Sequence, residues 1–205
     1  MTDLQKYYAR RAREYERIYT RPERQQDIKD FTLHLQQEVQ RFSVLELACG
    51  TGFWTERLSA TALSIQANDI GKEVLDVARS KKYGCPVDFS LGDAYHPDPT
   101  EAEMVFAGFW FSHVPISRRL EFLAGIRNAV GPGKKLILID NLCVEGNSTP
   151  ISRTDSEGNT YQNRKLDNGQ TYEVLKNFPT REELLHFSGG EIWTGGYFWG
   201  LVTGT

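Results

Sequence analysis

Apolar positions at the start of the chain recur at helical spacing and then give way to short, wholly apolar runs. Leu4, Tyr7, Tyr8, Ala12, Tyr15, Ile18 and Tyr19 follow the helical period and predict an amphipathic helix over residues 3–19. Thr20 and Pro22 interrupt it, and Pro22 suits the first turn of a second helix with Ile28, Phe31, Leu35 and Val39 on its apolar face. From Phe42 onward, strands are predicted over Ser43–Ala48, Leu63–Asp69, Val87–Leu91, Met104–Trp110 and Lys135–Asn141. Helices fall between them near 53–60, 71–82 and 116–130, the last stopped by Gly131-Pro132-Gly133. Strands apolar on both faces and alternating with helices predict an α/β fold with a parallel sheet covered on both sides.

Residues 142–178 break that rhythm with loop chemistry, and Asn168-Gly169 marks a hairpin turn between Arg164–Leu166 and Thr171–Leu175. Thr180 and Glu183 form a capping box for a helix over Arg181–Phe187. Glu191–Thr194, the Gly195-Gly196 turn and Tyr197–Thr203 read as a last antiparallel hairpin. The expected organisation is one domain over 1–205: a helical cap (1–42), a ligand-binding core (43–141), a hairpin excursion serving as a lid (142–178) and a closing helix and hairpin (179–205).

Composition narrows the class. With 205 residues, 40% of them hydrophobic and 12% aromatic, the chain can build one substantial core, which excludes disorder. The longest apolar stretch, Met104–Phe111, is too short to cross a bilayer. Lys6, Arg10 and Arg11 precede no apolar run, so no secretory signal is read, and Asp3, Glu14 and Glu16 argue against a transit peptide. Cys49, Cys85 and Cys143 lack CxxC spacing and the histidines are isolated, so neither a disulfide framework nor a metal site is expected, and the expected location is cytoplasmic. A net charge of −3 disfavours nucleic acid. The basic run Lys6, Arg10, Arg11, Arg13, Arg17, Arg21, Arg24 is offset by Glu14, Glu16 and Glu23, and reads as a solvated helix face rather than a phosphate-binding stripe.

The chemistry centres on Val44-Leu45-Glu46-Leu47-Ala48-Cys49-Gly50-Thr51-Gly52-Phe53-Trp54, a strand, an acid, a glycine turn and a helix. No Lys follows the glycines as a phosphate loop requires, and Thr55 stands where a dinucleotide fingerprint needs its third glycine. Glu46 suits a cationic or amine-bearing ligand. Asp69, closing the second strand, can accept two ribose hydroxyls, and Asp93, after the third, can accept from an exocyclic amine such as that of adenine.

In these residues the sequence resembles the class I S-adenosylmethionine-dependent methyltransferases. Glu46–Gly52 is similar to their first motif, Ala67–Ile70 to their ribose-binding acid and Gly92–Ala94 to their adenine-contact motif; Ala12–Tyr15 resembles the Ala-x-x-Tyr of many members, whose Tyr closes over the cofactor. Ala48 departs from the glycine common there. The resemblance covers residues 43–141 and implies a Rossmann-like seven-stranded sheet, mostly parallel, with its last strand or strands antiparallel. It implies S-adenosyl-L-methionine as cofactor, S-adenosyl-L-homocysteine as product, and a cofactor site of Tyr15, Glu46, Ala48, Cys49, Gly50, Thr51, Gly52, Trp54, Asp69, Ile70, Asp93, Ala94 and Phe109.

Methyl transfer needs alignment and exclusion of water, with a base only where the acceptor must lose a proton. His113 and Asp140, after the fourth and fifth strands, are the candidate catalytic bases. Tyr7, Tyr8, Trp110, His113 and Tyr172 are candidates to enclose the acceptor, and Arg153 or Arg164 to clamp an anionic group on it. No Asn-Pro-Pro-Tyr, Asp-Pro-Pro-Tyr or Pro-Cys pair is present, so the resemblance points away from nucleic-acid and glutamine methylation. The expected acceptor is a small molecule methylated on oxygen or nitrogen by a monomer or homodimer. The competing readings are a Rossmann oxidoreductase using NAD(P) and a non-catalytic interaction module.

Overall fold

Alternate residues of a strand point to opposite faces, so strands apolar at every position need cover on both sides. The computed structural model describes residues 7, 8, 10, 11 and 15–205, with the backbone alone for Tyr15. Ten strands follow in order: β1 (Ser43–Leu47), β2 (Ser64–Asp69), β3 (Val87–Leu91), β4 (Met104–Gly108), β5 (Lys135–Asn141), β6 (Arg153–Thr154), β7 (Thr160–Lys165), β8 (Thr171–Leu175), β9 (Glu191–Thr194) and β10 (Phe198–Gly204). The helices are α1 (Gln25–Glu38), α2 (Phe53–Leu58), α3 (Lys72–Arg79), α4 (Arg119–Val130) and α5 (Arg181–Ser188).

Seven strands form one sheet in the order β3-β2-β1-β4-β5-β10-β9. The first five run parallel, and β10 lies antiparallel to β5 along its whole length, from Phe198 opposite Asn141 to Gly204 opposite Lys135. β9 is antiparallel to β10 and so runs with the core strands. Val105 and Ala107 cluster with Phe122, Ile126 and Leu184 on one face; Met104 and Phe106 cluster with Phe31, Leu35 and Leu58 on the other. The chain leaves β1 toward β2 on one side and returns to β4 on the other, which opens a crevice at the carboxyl ends of β1 and β4.

Two elements roof that end of the sheet. β6, β7 and β8 form a separate antiparallel sheet, with the Gly169 turn residue at φ +85°. Tyr7 packs with Leu166 and Val174 of this excursion, and Arg10 and Arg17 reach Tyr172 and Asp167 at 2.7 Å each. The N-terminal segment is thus docked on the excursion. Residues 7, 8, 10 and 11 are helical, and Tyr15–Tyr19 is a 3-10 helix where the α-helix expected over 3–19 would end. Residues 3–6, 9 and 12–14, and the expected closing Tyr15 side chain, lie outside the described residues. β4 stops at Gly108 rather than Trp110 because Phe109 turns to φ +60° and a 3-10 turn over Phe111–His113 follows.

Candidate active site

The loop after β1 turns sharply, with φ of +52° at Ala48, +57° at Gly50 and +77° at Gly52. The two glycines serve different ends. A side-chain carbon on Gly50 would meet nothing within 4 Å, so that backbone borders open space; one on Gly52 would lie 2.6 Å from the Tyr83 hydroxyl. Asp69, at the tip of β2, pins the loop by accepting from Gly50 N–H at 2.9 Å and Gly71 N–H at 2.8 Å. Burial raises its pKa against these hydrogen bonds. Asp93 accepts from Tyr95 N–H at 2.9 Å.

Ala48, Gly50, Asp69, Ile70, Asp93, Ala94, Phe109 and Trp110 line a cavity of about 380 Å³ at these strand tips. Each of the two carboxylates retains acceptor capacity beyond its backbone partners. Ile70 is 51% exposed, an apolar side chain bared in the cavity wall. Carboxylates with acceptor capacity to spare beside a bare apolar wall and an open glycine backbone fit the adenosyl group expected from the sequence.

Glu46 requires a correction. Its side chain is buried in β1, outside the cavity lining, with Oε2 lacking a hydrogen-bond partner. Burial pushes its pKa up to about 8, so it is mostly protonated at neutral pH and supplies little charge to attract an ammonium. Cys49, Thr51, Gly52 and Trp54 also lie outside the lining: they shape the loop from beneath, Trp54 within the core and Thr51 through a 2.8 Å hydrogen bond to Glu16.

A second cavity, about 320 Å³, adjoins the first; Tyr8, Phe109 and His113 line both. Tyr7, Asn141, Gln162 and Phe178 contribute to its wall together with six cations: Arg11, Arg21, Arg24, Arg164, Lys165 and Lys176. No carboxylate among the described residues lines it. The basic N-terminal run is therefore only partly a solvated face. Arg17 fits that reading, paired with Asp167 and 68% exposed, whereas Arg11, Arg21 and Arg24 turn to the cavity. Arg24 hydrogen-bonds Asn147 at 2.6 Å and leaves a buried Nε without a partner.

His113 and Asp140 are already engaged. His113 Nδ1 lies 2.6 Å from the Leu175 carbonyl, which can only accept, so Nδ1 carries the proton and Nε2 accepts from the Tyr8 hydroxyl at 2.9 Å. Burial, reinforced by Lys176 and Arg164, holds the imidazole pKa far below its ordinary value. Asp140 is fully buried and pairs with Lys176 Nζ at 2.7 Å. Burial works to raise its pKa, but Lys176, His113 and hydrogen bonds from Lys176 and Ser112 outweigh that and lower it. These contacts argue against the base expected at either position: one is a neutral ring with both nitrogens occupied, the other a saturated counterion.

Of the other acceptor-site candidates, Tyr7, Tyr8 and Arg164 line the second cavity, and Trp110 the first. Arg153 does not approach either. It forms a bidentate pair with Glu173 at 2.7 and 2.9 Å and stacks 3.6 Å over Tyr161. Tyr172 lies behind the wall, against Tyr7 and Arg10. Lys176 had no local sequence signal; only the register of β7 and β8 brings it under the site. Among the described residues no acid, Cys or His cluster could hold a metal ion, and no helix is long and apolar enough to cross a membrane.

Comparison with known proteins agrees with this geometry. Residues 44–133 match the family described as a methyltransferase domain. The structure of a DhpI–SAH complex is similar over 99% of this chain and 95% of its own, with 27% identity and a TM-score of 0.80. A DhpI–SAM–HEP complex aligns over 98% and 95%, with 25% identity and a TM-score of 0.78. A SAM-dependent methyltransferase from Aquifex aeolicus shares the fold at 17% identity, over 96% of this chain and 97% of its own, with a TM-score of 0.65. No curated protein matches at the sequence level. The matched domain, which spans residues 44–133, and a strand order shared with these SAH- and SAM-bound neighbours support a class I S-adenosylmethionine-dependent methyltransferase.

Proposed function

We propose that the chain methylates a small anionic molecule on oxygen or nitrogen, with S-adenosylmethionine in the first cavity and the acceptor in the second. The observation that carries this reading is the junction: two cavities of different character, one bearing strand-tip acids and one with six cations and no carboxylate among its described lining residues, meet at Tyr8, Phe109 and His113. When bound, S-adenosylmethionine supplies a methyl group already activated on a sulfonium.

The chain's own residues bind and align. Asp69 accepts the ribose hydroxyls, Asp93 accepts the adenine amine, and Ile70 and Ala94 flank the base; the open backbone at Ala48 and Gly50 accommodates the amino-acid end. Tyr7, Tyr8, Phe109 and the docked excursion exclude water. His113, neutral and hydrogen-bonded to Tyr8, fixes the wall where the two cavities meet. An acceptor that arrives as an anion needs no base to strip it. DhpI, which forms a complex with SAM and HEP together, supports a site for two ligands side by side. The three free cysteines suit a reducing cytoplasm.

Calorimetry with S-adenosylhomocysteine and NADH tests the cofactor assignment. Binding of the former and none of the latter is expected; the reverse pattern would return the chain to the oxidoreductases.

A further inference from the structure

We propose that Lys176 anchors the negative charge of the acceptor, and that Asp140 and Ser112 are positioning residues that hold its ammonium at the cavity wall. The proposal rests on the reading that the second cavity takes the acceptor. Lys176 follows β8, where its backbone N–H donates to the Thr160 carbonyl at 2.8 Å, and its side chain runs inward rather than to solvent, leaving the residue 3% exposed. Nζ donates to Asp140 Oδ1 at 2.7 Å and to Ser112 Oγ at 2.5 Å. An ammonium has three N–H groups, and the third has no acceptor among the described residues, although Lys176 lines the cationic cavity.

Asp140 is built to hold that ammonium rather than to take a proton. Its Oδ1 also accepts from Asn141 N–H at 2.8 Å and Asn141 Nδ2 at 3.2 Å, while Oδ2 accepts from Ser112 N–H at 2.8 Å. A buried ion pair gives little net stability against apolar residues of the same size, so stability alone does not account for this one. What it supplies is preorganisation. A free lysine loses substantial rotamer entropy when it grips a ligand, and here two hydrogen bonds have fixed it beforehand. Arg24, with its buried partnerless Nε, lines the same cavity and offers a second unmet donor.

Charge around Lys176 comes from Asp140 on β5, Arg164 on β7 and Arg24 beside α1, and the neutral His113 after β4 is the other titratable group facing it. Burial lowers the ammonium pKa to about 8 while Asp140 works to raise it. Anchoring therefore fails as pH rises past that value, and fails earlier when the Asp140 charge is removed.

The test is a titration of inorganic sulfate, whose charge does not change over this range, into the protein loaded with S-adenosylhomocysteine, across a pH series. Sulfate binding is expected in the unaltered chain, with an alkaline limb. Lys176→Met should weaken it about ten- to hundredfold, the scale of a charge-assisted hydrogen bond, without changing the affinity for S-adenosylhomocysteine. Asp140→Asn should move the alkaline limb to lower pH, and Lys176→Arg should retain binding and abolish the limb. Sulfate binding by Lys176→Met equal to that of the unaltered chain, no binding by the unaltered chain, or an unmoved limb in Asp140→Asn would each overturn the proposal. Should Lys176→Met fail to fold, the two pH profiles decide. Failure to bind S-adenosylhomocysteine counts against the methyltransferase reading instead, and the same sulfate comparison is then made on the unloaded protein.

Discussion

The Tyr8 hydroxyl and His113 Nε2 lie 2.9 Å apart where the two cavities meet. The contact ties the N-terminal segment to the turn after β4 and needs a neutral imidazole. His113 is buried, and its pKa is depressed first by that burial and then by Lys176 and Arg164. The unfolded chain takes up a proton near pH 6.5 that the folded chain refuses. Stability from this group is therefore complete above that pH and declines below it, by up to about 1.4 kcal/mol per pH unit. His113→Gln should remove this part of the acid sensitivity. Urea midpoints at about pH 7.5 and about pH 5 should differ less in the variant; an equal difference would show that His113 is not held neutral.

Asp69 joins loop geometry to ligand recognition through its bonds to Gly50 and Gly71. Asp69→Ala should weaken S-adenosylhomocysteine binding by about 1–3 kcal/mol, read by calorimetry. Unchanged affinity would mean that the ribose lies elsewhere.

Arg153 offers the opposite expectation. Its pair with Glu173 is surface-exposed, solvent-screened and contributes little. Arg153→Ala should leave the acceptor KM and kcat unchanged, whereas Arg164→Ala, on the cavity wall, should raise KM. A raised KM in Arg153→Ala would place the acceptor on the outer face of the excursion.

At Gly52 the φ of +77° and the Tyr83 hydroxyl 2.6 Å from an added side-chain carbon act together. Gly52→Ala should cost at least about 1–2 kcal/mol from the left-handed backbone alone, measured by thermal unfolding. An unshifted midpoint would show that the loop relaxes freely.

Local pattern carried the sheet, its helices and the strand-tip acids Asp69 and Asp93, because each depends on spacing within a few neighbouring residues. The cationic cavity was not legible in the same way. Arg11, Arg24, Arg164 and Lys176 are far apart in sequence and meet only because the N-terminal segment docks on the excursion and β7 pairs with β8. Arg153 and Arg164 looked alike in sequence, yet register turns one to Glu173 and the other to the cavity. Glu46 misled for a different reason: strand alternation, which sets its side chain inside the fold, outweighs the charge that suggested a ligand.

Methyl transfer from labelled S-adenosylmethionine to paired small acceptors, each acid set against its neutral ester or amide, shows whether the second cavity selects an anion. Label is expected on the anionic member of a pair and little on its neutral counterpart, with excess sulfate competing. Equal labelling of both members, or preference for the neutral one, would contradict it.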